Sequence, residues 1–223
     1  MTDSNRKLLH HHLERRFTAK WWQQQQLESD KIAAILKCAW LAPVKQGLYD
    51  FEIHVLTDSE QGRQFKEWLY YENTACLNRQ RGLEGQGLRR YNGQVLAPMV
   101  MIWLAKTRPS NNHGDETSDF IRVNNDCHVS ATMAMCQAEE LGVRTGFCGC
   151  LGGREIADKL NRPDHTAVVS VGFGYAETDS EIQRKVYKDQ IEIGFDLSNT
   201  SPDIRTSLNR KNRPSKNSLI KYV

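Results

Sequence analysis

The chain has 223 residues, a formal net charge of +3 and a hydrophobic content of 39%, values typical of a globular protein with one large domain or two small ones. So small a net charge does not by itself indicate nucleic-acid binding, and no apolar run approaches the roughly 18 residues that would span a membrane. Six cysteines occur with no secretory signal, so we expect reduced thiols and a cytoplasmic location.

Hydrophobic periodicity predicts the elements of the first half of the chain: a helix at about 4–16, a helix from 29 or 30 to Pro43, a strand at 51–55, a helix at 59–73, a stretch at 74–95 without a clear period, and a strand at 97–105. Ser4 can cap the first helix, and Ser29 or Asp30 the second. The adjacent histidines at 10–12 point in different directions around a helix, which favours a solvated surface over a metal site.

The second half predicts a polar loop at 107–123, a helix at 126–141, a glycine-rich turn at 142–153, a helix at 154–160, a strand at 166–175 and an extended arm at 186–195. Asn125 or Asp126 can cap the long helix, and Gly142 ends it. Ser130, Ala134 and Ala138 form a stripe of small side chains on that helix, which lets a second helix approach closely. We therefore expect this stripe to lie at a dimer contact.

Three short motifs carry the functional interpretation. Residues 142–151 read GVRTGFCGCL, residues 16–20 read RFTAK, and residues 210–214 read RKNRP. The glycine loop follows a small-residue helix, and the two basic motifs lie near the chain ends. In this order and near this spacing, they resemble the nitroreductase family, which comprises FMN-dependent NAD(P)H oxidoreductases. The resemblance spans nearly the whole chain.

This resemblance implies an α+β fold, in which a central, mostly antiparallel sheet is flanked by helices, and an intertwined homodimer with two FMN sites at its interface. It implies a single FMN-binding domain over residues 1–223, of which about 176–223 form a C-terminal extension. The positions implied to contact FMN are Arg16, Phe17, Thr18, Lys20, Pro43, Val44, Lys45, Asn92, Cys148, Gly149, Cys150, Lys211 and Arg213.

The resemblance also implies roles for some of these residues. Arg16, Lys211 and Arg213 would pair with the FMN phosphate. Lys20 would stabilise the charge that gathers near the N1–C2 edge of the reduced flavin, and the Gly149 backbone N–H would lie near N5. A basic tail that is disordered or touches nucleic acid is the alternative for Lys211 and Arg213.

Two segments depart from the family pattern. The loop from Pro43 to Phe51 lacks the serines and asparagine that usually contact FMN from the partner subunit. Cys150 stands where the family usually has glycine. Cys148 and Cys150 could form a redox pair or half of a metal site. We favour small apolar groups lining the flavin face, and no metal.

The implied reaction is a ping-pong transfer of electrons from NADH or NADPH, through FMN, to a small acceptor of the nitroaromatic or quinone type. Because the flavin carries this chemistry, no side-chain nucleophile or acid–base pair is required. The alternatives are an FMN-dependent dehalogenation, dehydrogenation or flavin cleavage, or an interaction protein with a basic tail that has lost flavin. We expect neither a membrane nor a nucleic acid as a partner.

Overall fold

A computed structural model describes residues 18–83, 92–109 and 115–177. Within them the helices are α1 (Ser29–Trp40), α2 (Glu60–Gln80), α3 (Glu116–Glu140) and α4 (Gly153–Lys159), and the strands are β1 (Phe51–Leu56), β2 (Met99–Lys106), β3 (Arg144–Cys148) and β4 (His165–Gly174). Short 3-10 turns occupy Lys45–Gly47 and Gly93–Leu96. The predicted α+β class is confirmed. None of the helices in the described ranges is both long and apolar enough to cross a bilayer.

The four strands form one sheet in the order β1-β2-β4-β3, with antiparallel pairing throughout. Strand β2 is central and buried on both faces. Met101 and Trp103 point into a core shared with α1 and α3, whereas Val100 and Ile102 point into a core shared with α2 and α4. This period of two explains why β2 reads as a continuous apolar run. The predicted antiparallel sheet flanked by helices is confirmed.

The long helix begins ten residues earlier than predicted, so the predicted polar loop at 107–123 is wrong from Glu116 onward. Asp115 is the actual N-cap, and its carboxylate accepts the Ser118 N–H at 2.7 Å. The first turns of α3 are polar because their charged side chains are buried as ion pairs. Arg122 Nη2 lies 2.7 Å from Asp50 Oδ2, with both side chains nearly inaccessible.

Two further boundaries differ from the prediction. Helix α2 runs on to Gln80, so residues 74–80 are helical, and the N-cap of α1 is Glu28. The short helix after the glycine-rich segment and strand β4 agree with the predictions within a residue or two. The predicted helix at 4–16, the arm at 186–195 and nearly all of the predicted extension from 176 lie outside the described residues.

The predicted glycine-rich turn contains a tight helix ending followed by a strand. Gly142 adopts a φ of +74°, its N–H bonds to Glu139 O, and the Val143 N–H bonds to Ala138 O at 2.8 Å. This pairing is a Schellman motif, which satisfies the last helical carbonyls. The predicted stop at Gly142 is confirmed, but β3 then pairs with β4 where a turn was expected.

The stripe of small residues on α3 faces the interior of its own chain. Ser130, Ala134 and Ala138 are all 0% exposed. Ser130 Oγ donates a hydrogen bond to Ala39 O of α1 at 2.8 Å and accepts one from Trp103 Nε1 at 2.9 Å. The close helix partner is therefore α1, and assigning this stripe to a dimer contact was wrong.

Candidate functional site

The site is built around an edge of the sheet. Strand β3 pairs with β4 on one side, and the segment 18–22 lies along its other side. Thr18 forms a parallel bridge with Thr145, and the Ala19 N–H donates to Thr145 O at 2.9 Å. Trp22 Nε1 then donates to Gly93 O at 2.9 Å. These bonds fix the backbone on either side of Lys20, whose side chain is half-buried.

Two glycines make this close approach possible. Gly146 and Gly172 are register partners in the β3–β4 pair. A Cβ on Gly146 would lie 2.6 Å from Ala19 O, and one on Gly172 would lie 2.0 Å from Gln94 O. Neither glycine has a positive φ, so their role is to leave room for two crossing backbone segments. The missing side chains of Gly146 and Gly172 therefore leave a gap in the surface of the sheet, which we call the notch.

Buried polar side chains gather at the end of β3 beside that notch. Asn92 Nδ2 donates to Cys148 Sγ at 2.6 Å, and Asn73 Nδ2 lies 4.0 Å from the same sulfur. Within the described ranges, three buried amide oxygens have no hydrogen-bond partner: Asn73 Oδ1, Asn92 Oδ1 and Gln94 Oε1. Because buried polar atoms are nearly always paired, this group favours a polar ligand at this place.

The two cysteines beside these amides have opposite electrostatic environments. Cys148 Sγ lies 3.8 Å from Cys150 O, to which its thiol can donate, and its side chain lies against the Cys150 thiol. This side-chain contact, aided by the charges of Arg81 and Lys20, lowers the pKa of Cys150 to about 6. The same contact, followed by burial, raises the pKa of Cys148. A negative charge on the pair is therefore favoured on Cys150.

Five of the predicted site positions lie at or beside this cluster: Thr18, Lys20, Asn92, Cys148 and Cys150. The predicted Gly149 lies between the two cysteines. Gly149 is exposed. A Cβ added to it would lie 3.9 Å from its nearest neighbour, a ring carbon of Phe147.

Of the predicted loop residues Pro43, Val44 and Lys45, Lys45 contacts a different element. The Lys45 N–H donates to Asp126 Oδ1 on α3 at 3.3 Å. Arg16, Phe17, Lys211 and Arg213 lie outside the described residues, so their assignment stays a prediction.

Sequence reasoning missed Asn73 and Arg81. Asn73 is fully buried in the middle of α2, and an asparagine on the apolar face of a predicted helix was the signal that could have identified it. Arg81 follows that helix in a stretch predicted to lack regular structure. Across the described part of the chain, no group of three or more histidine, cysteine or carboxylate side chains is arranged to hold a metal ion.

Comparisons with known proteins agree on one fold. A sequence profile described as the nitroreductase family matches residues 13–175, whereas curated proteins give no significant match. A nitroreductase family protein from Clostridium difficile 630 superposes with a TM-score of 0.64 at 14% identity, over 95% of each chain.

Two other solved structures are similar to this chain. An FMN-dependent nitroreductase from Clostridium difficile has a TM-score of 0.54 at 22% identity, over 75% of this chain and 87% of that one. A nitroreductase with bound FMN from Desulfitobacterium hafniense DCB-2 has a TM-score of 0.57 at 17% identity, over 80% of this chain and 92% of that one. At these identities the likeness shows the fold alone.

Proposed function

This chain belongs to the nitroreductase family, and on that basis we propose that it is an FMN-dependent oxidoreductase. It takes electrons from NADH or NADPH and passes them, in a ping-pong reaction, to a small acceptor of the nitroaromatic or quinone class. The observation that supports this function most directly is the gathering of Lys20, Asn92 and the 148–150 segment at one end of β3. The bound FMN of the Desulfitobacterium protein supports the choice of cofactor.

The residues at this place suit the flavin ring. An isoalloxazine presents hydrogen-bond donors and acceptors along one edge, and the unpartnered oxygens of Asn92 and Gln94 can accept from a ring N–H. Lys20 brings a cation close by. The FMN supplies the redox chemistry when it is bound, and the protein supplies binding, orientation and electrostatics.

The residues of the proposed flavin site each have one role in binding the cofactor or stabilising its charge. Lys20 favours the form of the cofactor that carries negative charge, because a cation stabilises a nearby anion more strongly where water is partly excluded. Gly149 offers an exposed backbone N–H without side-chain bulk. Arg16, Lys211 and Arg213 are proposed to pair with the phosphate, as charge-assisted hydrogen bonds favour.

We also propose a homodimer formed through the outer face of α3. Val129 and Met133 on that face are 40% and 41% exposed. Two large apolar side chains next to each other on a helix surface favour a partner that covers them. Asp126, Val129 and Met133 follow at i, i+3 and i+7 and so share one side of the helix. Since Asp126 holds the Lys45 loop, dimerisation would bring that loop to the interface.

Flavin content tests the proposal. The purified protein should be yellow, release FMN on denaturation, and, after FMN is removed, bind it again with quenching of flavin fluorescence. Under anaerobic conditions NADH and NADPH are added separately to bleach the flavin, and a quinone should restore its colour. Initial rates at several acceptor concentrations should give parallel reciprocal plots. A colourless protein that does not bind added FMN would overturn the proposal and favour the flavin-free interaction protein.

A further inference from the structure

Flavin chemistry leaves two cysteines at the site without a task. Cys148 ends β3 and is 3% exposed, whereas Cys150, two residues on, is half-buried. Cys148 Sγ lies 3.8 Å from the Cys150 carbonyl oxygen, and the two thiol side chains are in contact. One thiol is therefore open to a reagent, and the other is held behind it.

The surroundings of the pair distinguish the two sulfurs further. Cys148 accepts a hydrogen bond from Asn92 Nδ2 at 2.6 Å, which fixes its position. The charges of Arg81 and Lys20 act on Cys150. A partly exposed sulfur close to cations is the environment of a reactive cysteine, because the thiolate is the nucleophile.

We propose that Cys150 and Cys148 form a thiol–disulfide exchange pair that reduces small disulfides, with Cys150 as the attacking thiol and Cys148 as the resolving thiol. Three features of the pair support this assignment: Cys148 Sγ lies 3.8 Å from Cys150 O, Cys148 is buried whereas Cys150 is half-buried, and Asn92 holds Cys148 in place. None of these features depends on a bound flavin, so the assignment stands apart from the proposed oxidoreductase function.

The exchange balances in two steps. The Cys150 thiolate attacks one sulfur of the disulfide, forms a mixed disulfide and expels the first thiolate. Cys148 then attacks the Cys150 sulfur, forms the 148–150 disulfide and expels the second thiolate. The Cys148 proton and one proton from solvent leave with the two released thiols. The two cysteines lose two electrons, and the small disulfide gains them.

The contact with the Cys150 thiol, followed by burial, raises the pKa of Cys148. Cys148 therefore stays protonated during the first step, which leaves Cys150 as the attacking thiolate. A disulfide across so short a loop is also easily reduced again, as catalytic disulfides are.

The pH profile is a sharper signature than the rate at pH 7. Lowering a thiol pKa from about 8.5 to about 6 raises its thiolate fraction at pH 7 about 30-fold. The lower basicity reduces intrinsic nucleophilicity by about 10- to 18-fold, so the net gain is only about two- to threefold. The midpoint of the profile, by contrast, moves by about 2.5 pH units.

Glutathione disulfide is a suitable probe for the purified full-length protein, with peptide mass mapping as the readout. The wild-type protein should accumulate the 148–150 disulfide. Cys148→Ser should stop at a glutathione adduct on Cys150, and Cys150→Ser should give neither product in this loop. Cys38→Ser, which changes a half-buried cysteine on α1, is the matched control and should behave as wild type.

Alkylation of Cys150 by iodoacetamide across a range of pH provides a second readout that does not require turnover. Its midpoint should lie near pH 6 in the wild type and should rise toward about 8.5 in Cys148→Ala, because the contact with the Cys148 thiol is lost. Either a wild-type midpoint at the ordinary thiol value, or glutathionylation of Cys148→Ser no faster at Cys150 than at Cys38, would overturn the proposal. Both measurements are made with and without added FMN, because the proposed flavin site includes the 148–150 segment. Failure in both states would overturn the thiol proposal and leave the proposed oxidoreductase function untouched.

Discussion

Gly146→Ala is the substitution whose effect follows most directly from the structure. The added Cβ would lie 2.6 Å from Ala19 O and 3.0 Å from Cζ2 of Trp22. A contact with a backbone oxygen below 3.0 Å is relieved only if the segment 18–22 shifts away from β3. That shift weakens the hydrogen bond from Ala19 N to Thr145 O, which is 2.9 Å long. We therefore expect the variant to lose stability and to displace Lys20.

The expected loss can be bounded. Overpacking at a tightly packed position costs about 1–3 kcal/mol, and a weakened backbone hydrogen bond adds about 0.5–1.5 kcal/mol. Restricting the unfolded chain by replacing glycine offsets about 0.4–1 kcal/mol. The net destabilisation is centred near 2.5 kcal/mol, which lowers the melting temperature by roughly 5–10 °C in a chain of this size.

Urea unfolding, followed by circular dichroism and tryptophan fluorescence, measures this loss. Gly149→Ala is the matched control, because it makes the same chemical change three residues away, where the nearest neighbour is 3.9 Å distant. The control should stay within about 0.5 kcal/mol of wild type. If Gly146→Ala also unfolds within that margin, the notch is not required and the close packing of segment 18–22 is not what holds Lys20.

Three further predictions follow from the proposed function. Lys20→Ala should lower the midpoint potential of bound flavin, with a smaller effect on binding of oxidised FMN, whereas Lys37→Ala on the exposed side of α1 should change neither in potentiometry. Met133→Glu should give a folded monomer in sedimentation. Ala134 is buried in its own chain, so Ala134→Glu should unfold the protein. A dimeric Met133→Glu variant would contradict the proposal that the outer face of α3 forms the dimer interface. Truncation before residue 210 should raise the dissociation constant for FMN, measured by fluorescence titration, by about two decades. This estimate counts two charge-assisted hydrogen bonds of about 1.5–3 kcal/mol each and takes the lower end. Unchanged affinity would mean that the tail has no role in binding.

The sequence predicts the apolar strands β2 and β4 more accurately than it predicts where the helices begin and end, for a physical reason. Strand β2 buries both of its faces, so its composition alone identifies it. The first turns of α3 are helical because a buried ion pair replaces apolar contact. Arg122 and Asp50 lie 72 positions apart in the chain, and no local pattern reveals that they meet. The early start of α3 is therefore a tertiary effect.

The same limit applies to the site. Positions near the motifs, such as Lys20 and Cys148, could be proposed from spacing and resemblance. Backbone bonds hold segment 18–22 next to β3, and Gly146 of the glycine motif leaves room for them. Asn73 reaches the cluster from the middle of α2, through packing that the sequence does not display. The stripe around Ala134 was assigned to the wrong partner because small residues indicate a close helix without saying which one.

Lys20 takes part in both the proposed flavin site and the proposed thiol pair. Its charge is one of the influences that lower the pKa of Cys150, and the same charge is proposed to favour reduced flavin. A thiolate on Cys150 is an anion beside that cation, so it offsets part of the field that Lys20 provides to the flavin. Forming the 148–150 disulfide removes the anion and leaves the cation unopposed. Under the two proposals, oxidation of the pair would make the bound flavin easier to reduce, so the thiols and the flavin would be coupled through charge without any electron passing between them.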